Sequence, residues 1–376
     1  MRFLFYTHSL VSDWNHGNAH FLRGVMRDLI ARGHEAVALE PADGWSRGNL
    51  VAEQGAIALE RFRSDFPELT SMTYGRRFPH EDVVAEADVV IVHEWTDPSL
   101  VARLGRCRAR GGRFTLLFHD THHRAVSAEK DIAALDLSGY DCVLAFGEAL
   151  RAHYLERGWG NRVETWHEAA DTRLFHPSGT EERNRDVVWI GNWGDGERSR
   201  ELKDYLLDPV RENGLNGTVH GVRYPPDALA SVKEAGLTFG GWVANARVPQ
   251  VFARHKVAVH VPRRPYATAL PGIPTIRMFE AMACGIPLVS APWEDAEGLF
   301  RPGRDYLAAA DPRQMSAYVR DVVHDRQLSG ALAKSGLETI RQHHTCAHRV
   351  DQLFSVLRRL GSRAARNAQP AMEAAR

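Results

Sequence analysis

Short apolar runs alternate with amphipathic stretches along most of this chain. Residues 2–6, RFLFY, read as a first buried strand, followed by the polar loop THSLVSDWNHGNAH. Residues 19–32 then place Phe21, Val25, Leu29 and Ile30 on one helical face; Gly33 closes the helix and EAVALEP forms a second strand. This strand–loop–helix–strand opening is that of doubly wound α/β folds. Residues 43–80 are polar and ambiguous, with helical periodicity only around 49–63. Three further apolar runs, at 87–95, 112–123 and 140–150, each run into a polar cluster: His93-Glu94, His119-Asp120 and Gly147-Glu148. A sixth strand, RVETWHEA, ends at His167-Glu168. In parallel sheets the carboxyl ends of strands face the ligand.

A polar stretch, PSGTEERNR, then reads as a linker, and the pattern restarts with DVVWIGNWG at 186–194. Helices are expected at about 198–210, 227–235, 248–255, 312–325 and 327–342, with strands at 217–222, 237–243 and 256–264. The stretch LPGIPTIRMFEAMACGIPLVSAPW (270–293) organises this half. Pro and Gly keep 270–274 non-helical, Thr275 to Cys284 is a short helix, Gly285 and Pro287 end it, and Leu288 to Ser290 is a buried strand. The helix start offers free N–H groups, at Thr275 and Ile276 above all, and a positive dipole end, which together bind phosphate. Arg277 and the pair Arg263-Arg264 add positive charge, and Glu280 is an acceptor suited to two ribose hydroxyls. A nucleotide diphosphate is the ligand this pattern suggests. The last amphipathic helix, 346–360, has Val350, Leu353, Phe354 and Leu357 on one face, and the Ala/Arg-rich tail 361–376 reads as disordered.

Length and charge narrow the picture. The chain has 376 residues, so two domains are the better expectation. Lys+Arg and Asp+Glu are both 47, which gives no global signal for nucleic acid or a membrane surface. Cys107, Cys142, Cys284 and Cys346 form no C-x-x-C pair, as suits reduced thiols in a cytoplasm. No apolar run reaches the roughly 20 residues of a membrane span, and the N-terminus does not read as a signal peptide. The first loop holds Gly17 but no G-x-G-x-x-G, so the nicotinamide and flavin fingerprint is missing.

The segment FEAMACGIPLVS resembles the "EAMACG-P-V" motif of retaining, nucleotide-sugar glycosyltransferases with the GT-B fold. The longer run from Pro262 to Leu307 is similar to their CgeB-like, spore-maturation-type branch, and ADTRLFHP (170–177) resembles the segment leading out of their first domain. The resemblance implies two Rossmann-like domains facing across a cleft: an acceptor domain, 1–177, and a donor domain, 178–345, with helix 346–360 crossing back to the first. It implies transfer of a sugar, hexosyl in type, from a nucleotide-diphospho-sugar to an acceptor hydroxyl, with retention, no metal and no cofactor, the donor being a substrate. It assigns Glu280 to the ribose and Gly191 to a close backbone approach, and it places Gly17 and Asn18 beside the ligand, where the residues read equally as a plain turn with an N-cap; His20 is a further candidate on the donor-sugar or acceptor side. Two departures stand out. Asn192 replaces the arginine of the family's V-G-R turn, leaving Arg198 or Lys203 to supply the charge. Gly272 stands where the family often has a second glutamate, so sugar contacts fall to backbone groups, Arg277 or Tyr266.

Other residues admit several roles. Trp242 reads equally as a nucleobase wall, with Gly240, Gly241 and Asn245, or as core. His119 and Asp120 are the candidate catalytic pair: the resemblance implies that His119 contacts the donor sugar, whereas in an inverting enzyme His16, His20, His119 or Asp120 is the general base; alternatively His119, Asp120, His122 and His123 bind a metal, or the histidines merely cap a helix. The acceptor class stays open among glycan, lipid-linked, protein and small-molecule hydroxyls. A nucleotide-sugar epimerase of the same fold and a non-catalytic nucleotide-sugar or glycan-binding protein are the rival functions.

Overall fold

The computed structural model of the chain describes residues 1–179, 182–194 and 196–362; the tail expected to be disordered lies outside them from residue 363. The chain divides into two compact α/β units. Residues 1–168 and the chain from Cys346 onward form the first, and Ala169–Thr345 forms the second. The boundary therefore falls nine residues before the expected 177/178, and the ADTRLFHP segment belongs to the second unit.

The first unit is built on a seven-stranded sheet of order β3-β2-β1-β4-β5-β6-β7. Its strands are β1 (Arg2–Tyr6), β2 (Glu35–Pro41), β3 (Thr70–Tyr74), β4 (Val89–His93), β5 (Thr115–Asp120), β6 (Cys142–Ala145) and β7 (Val163–Thr165). All neighbouring pairs are parallel. Two expectations change here. The ambiguous stretch 43–80 holds helices Trp45–Gln54 and Ile57–Asp65 and the strand β3. That strand lies at the sheet edge with mostly exposed side chains, so it carries no apolar run. The predicted strand 140–150 is only β6; Gly147 is extended and a helix, Glu148–Arg157, starts at once.

The second unit has a six-stranded parallel sheet of order β10-β9-β8-β11-β12-β13. It comprises β8 (Arg185–Ile190), β9 (Gly217–His220), β10 (Leu237–Phe239), β11 (His255–His260), β12 (Leu288–Ser290) and β13 (Leu307–Ala308). The strand expected to run to Arg264 ends at His260, and Arg264–Thr268 is a short helix. The helix expected over 198–210 contains a π-helical turn, Lys203–Leu207, between α-helical segments. The central strands of each sheet follow the alternation of buried strands and amphipathic helices that the sequence pattern carries, with all-parallel pairing.

The last helix, Cys346–Arg359, packs within the first unit. Phe354 meets Phe3 edge-on at 6.1 Å, Trp166 Nε1 donates to the Arg349 carbonyl at 2.8 Å, and the buried Arg349 Nε donates to the His167 carbonyl at 3.0 Å. Burial presses the Arg349 guanidinium below its usual range, to about 10. Truncating Phe354→Ala is expected to remove about 3 kcal/mol or more of stability. Denaturant unfolding followed through the first unit's tryptophans checks this; an unchanged midpoint would show that the helix is not integral to the unit.

Candidate functional site

In the second unit, polar groups gather where β8, β11 and β12 end. Two glycines shape the turn after β8. A Cβ on Gly191 would lie 2.7 Å from the Trp189 ring, and Gly194, at φ +98°, leaves 2.5 Å to the Arg198 side chain. The loop thus closes around Arg198. That arginine is buried, its guanidinium 4.9 Å above the Trp189 ring. Its Nη2 donates to Asn192 Oδ1 at 2.7 Å and to the Asn192 carbonyl at 2.9 Å, and Nη1 donates to the Val261 carbonyl at 3.3 Å. Arg263 Nη2 donates to the same Asn192 Oδ1 at 2.9 Å and pairs with Glu197. Asn192, the departure from the family turn, therefore holds two guanidinium groups together. Burial first, and then the Arg263 charge, push Arg198 down to about 9, so it stays protonated at neutral pH. Its Nε is buried without a protein partner. Lys203, the other candidate, pairs with Asp208 at the surface instead.

The helix of the organising stretch, Ile276–Ala283, starts at the same strand ends. Thr275 occupies its N-cap but does not cap it. Its hydroxyl lies 3.0 Å from His260 Nε2, while His260 Nδ1 lies 2.9 Å from Ser290 Oγ. Ser290 Oγ gives its own proton to the Ala291 carbonyl, so His260 donates through Nδ1 and accepts the Thr275 proton at Nε2. Burial first, then Arg198, keeps this histidine neutral, at about 3. The first-turn N–H groups at Ile276 and Arg277 are consequently left to an outside acceptor.

Glu280 is fully buried, at 0% exposure. Asn245 Nδ2 donates to its Oε1 at 2.9 Å and Arg277 forms an ion pair with its Oε2. Arg277 and Glu280, read from sequence as separate phosphate and ribose ligands, are thus partners of one another. Asn245, read beside the nucleobase wall, is a support of Glu280. Trp242 is half-buried in the turn after β10, with a buried Nε1 that has no protein partner. Tyr266 lies buried on the Arg264–Thr268 helix. Gly272 has φ +86°, where a side chain is strained, and its missing Cβ would sit 2.8 Å from Glu297 Cγ. The Glu297 side chain therefore covers the position at which the resemblance leads one to expect a glutamate.

In the first unit a second cluster lies at the ends of β1, β4 and β5. His119 is buried against Trp166, with ring centroids 4.8 Å apart, and burial drives it well below its ordinary pKa. His119 and Thr7, whose Nε2 and Oγ1 have no protein partner, are among the residues lining a cavity of about 10 Å³, room for one water. Asp120 is fully buried; its Oδ2 accepts the Tyr154 hydroxyl at 2.6 Å and its Oδ1 accepts the His122 N–H at 3.0 Å. Burial and the nearby Glu94 raise Asp120 to about 7. This aspartate orders the strand end and is shut from solvent. Gly17 is half-buried in the loop before the first helix, Asn18 Nδ2 donates to Glu168 Oε1 at 2.9 Å, and His20 is buried in that helix.

Sequence reasoning singled out neither His8 nor the pairing of His93 with Glu94. Burial pushes Glu94 up to about 8 and lowers His93 to about 4. Glu94 Oε2 lies 3.0 Å from His93 Nδ1 without hydrogen-bonding geometry; His93 Nδ1 accepts the Trp95 N–H at 3.4 Å, so Nε2 donates to Thr121 Oγ1 at 2.9 Å. The strand-end dipeptide was visible in the sequence, but its depth was not. Among the described residues, no group of three or more His, Cys, Asp or Glu is arranged to hold a metal ion.

A glycosyl transferase-like family model matches residues 198–355. A search of curated proteins finds no match. The fold is that of GT-B glycosyltransferases, in near-complete coverage. The Anabaena protein HepE, solved with UDP and glucose, superposes with a TM-score of 0.69 at 16% identity, over 95% of this chain and 99% of that one. Sucrose-phosphate synthase from Thermosynechococcus elongatus gives 0.66 at 13% identity, over 96% and 99%. An alpha-glucosyltransferase solved with UDP and a DNA 13-mer gives 0.67 at 12%, over 95% and 99%. No helix among the described residues is long and apolar enough to cross a membrane.

The buried Glu94 carries a pH signature. Its folded pKa, about 8, exceeds the ordinary 4.5, so above pH 4.5 the folded chain keeps a proton that the unfolded chain releases. Stability from this group therefore falls as pH rises toward 8. Between pH 7 and 8.5, above the histidine range, Glu94→Gln should lose about 1 kcal/mol less stability than wild type. Equal losses in urea titrations at the two pH values would contradict this placement of the proton.

Proposed function

We propose that the chain is a glycosyltransferase that moves a sugar from a nucleotide-diphospho-sugar to an acceptor hydroxyl. The observation that carries this reading is the pair Arg198 and Arg263, held on Asn192 Oδ1 beside an uncapped helix start. Two cations and free N–H groups at one point form a receptor for a diphosphate. The family match over 198–355 includes both the Arg198 end and the Glu280 helix. That solved structures of similar fold hold UDP supports a nucleoside diphosphate at this place.

In this reading the acceptor oxygen forms a bond to the anomeric carbon as the bond from that carbon to the diphosphate oxygen breaks. The developing negative charge falls on the leaving diphosphate, where Arg198, Arg263 and the helix start stabilise it without a metal ion. Retention follows if the acceptor attacks from the face the diphosphate leaves, the acceptor proton departing with the phosphate. We assign the donor to the second unit and the acceptor, of open class, to the first. We also place the chain in the CgeB-like branch and read the transferred group as hexosyl. Cys107, Cys142 and Cys284, as free thiols, support a reducing, cytoplasmic setting.

A second reading, a nucleotide-sugar-binding protein without turnover, is favoured by one feature: Glu280 is closed off by Arg277 and Asn245. The experiment is a thermal-shift panel of UDP, GDP, ADP, CMP and dTDP with their sugar conjugates, joined to a donor-consumption assay. One diphosphate series should raise the melting temperature, and Arg263→Ala should weaken that ligand about tenfold or more. Stabilisation without donor consumption, with or without acceptors, supports the binding-protein reading. No shift with any nucleotide sinks both.

A further inference from the structure

Trp45 and Trp95 are 42% and 40% exposed in the first unit, in which most large apolar side chains are buried. Both flank one buried residue. The Trp45 ring stacks on His8, nearly parallel at 5° with centroids 5.6 Å apart, and Trp95 meets His8 edge-on at 6.2 Å. Each indole is propped from behind. Trp14 packs edge-on against Trp45 at 5.8 Å, and the Arg124 guanidinium lies 4.3 Å over the Trp95 ring while donating to the Glu94 carbonyl at 3.1 Å. The floor between them is polar. His8 is only 7% exposed, yet neither ring nitrogen has a protein partner. His16, whose ring lies 3.8 Å from that of His8, directs Nδ1 toward the Ser12 carbonyl at 3.4 Å and has an unpartnered Nε2.

Exposed aromatic faces over buried, unsatisfied polar atoms describe a particular kind of ligand. Unpaired buried polar atoms are costly and call for a hydrogen-bonding partner. The indole faces call for an apolar, weakly polarised surface such as a sheet of C–H groups. A pyranose ring carries both: axial C–H bonds on its face and hydroxyls around its rim. A purely apolar occupant would leave His8 unsatisfied, and an ionic one would meet neutral imidazoles, since burial lowers His8 to about 3 and holds His16 well below its ordinary value. The other groups facing His8 are His93, also neutral, and the two indoles.

We propose that Trp45 and Trp95, with His8 beneath them, form a carbohydrate subsite for a pyranose of the acceptor. This rests on the glycosyltransferase reading for the word acceptor, but the saccharide binding itself is separable from it. The probes are methyl α- and β-glycosides of glucose, galactose, mannose and N-acetylglucosamine, with maltose, cellobiose and lactose, titrated against wild-type tryptophan fluorescence without nucleotide. At least one should give a saturable change. Trp45→Ala and Trp95→Ala should each weaken it about tenfold, Trp45→Phe much less, because a ring is retained. The nucleotide-induced melting shift should stay as in wild type, which shows that the variants are folded. No saturable response to any saccharide, or Ala variants that bind as wild type does, overturns the subsite. A saccharide response with no nucleotide response would instead preserve the subsite and remove the donor reading.

Discussion

The arrangement of the second unit turns on two positive charges brought to one amide oxygen. Arg198 and Arg263 both donate to Asn192 Oδ1, and Arg198 is buried as it does so. Like charges at this separation repel, and burial strengthens the repulsion. The Glu197 carboxylate pairs with Arg263 and offsets part of the charge felt at Arg198. Uncharged groups support the placement further: the glycine turn that leaves room for the Arg198 stem, the Trp189 ring beneath it, the Val261 carbonyl. A site that keeps two guanidinium groups in position against one carboxylate is preorganised for an anion, because the cost of assembling the charges falls on folding and not on binding.

The first unit solves the opposite problem. Its strand ends and the loop after β1 carry His8, His16, His93 and His119, and burial keeps all four neutral. Glu94 and Asp120 are pushed up by the same burial. Polar groups are present in number while formal charge is suppressed. Such a surface suits a neutral, hydroxyl-rich molecule, as the second unit's cations suit a diphosphate. The division of chemistry between the two units is therefore also a division of electrostatics.

Much of this was legible from spacing. The helix over 275–284 and the strand that follows are dictated by Pro, Gly and an apolar period, and β1, β4, β5 and β8 are plain apolar runs; that Thr275 leaves the helix start uncapped comes from its contact with His260. The edge strand β3 was hidden because its exposed side chains leave no periodic trace. At the site, position along the chain was readable and partnership was not. Arg277 and Glu280 are three residues apart on one helix, a spacing that pairs them, and the structure does so. Asn192 looked like a lost arginine; in three dimensions it gathers Arg198 and Arg263, from six and 71 residues away. Gly272 looked like a lost carboxylate, and Glu297 folds over it from a turn with no sequence signal. Asp120 was read as reactive from its dipeptide, but full burial and the Tyr154 hydroxyl make it a fixed internal acceptor.

The most direct test of the central claim compares each nucleoside diphosphate with its nucleoside by titration calorimetry, on wild type and Asn192→Ala. If the two arginines on Asn192 form the diphosphate receptor, one diphosphate binds at least about a hundredfold tighter than its nucleoside, an advantage of some 3 kcal/mol carried by charged hydrogen bonds. That advantage shrinks in Asn192→Ala and falls with added salt. Equal affinity for nucleoside and diphosphate, or an advantage that survives both the substitution and high salt, would contradict it.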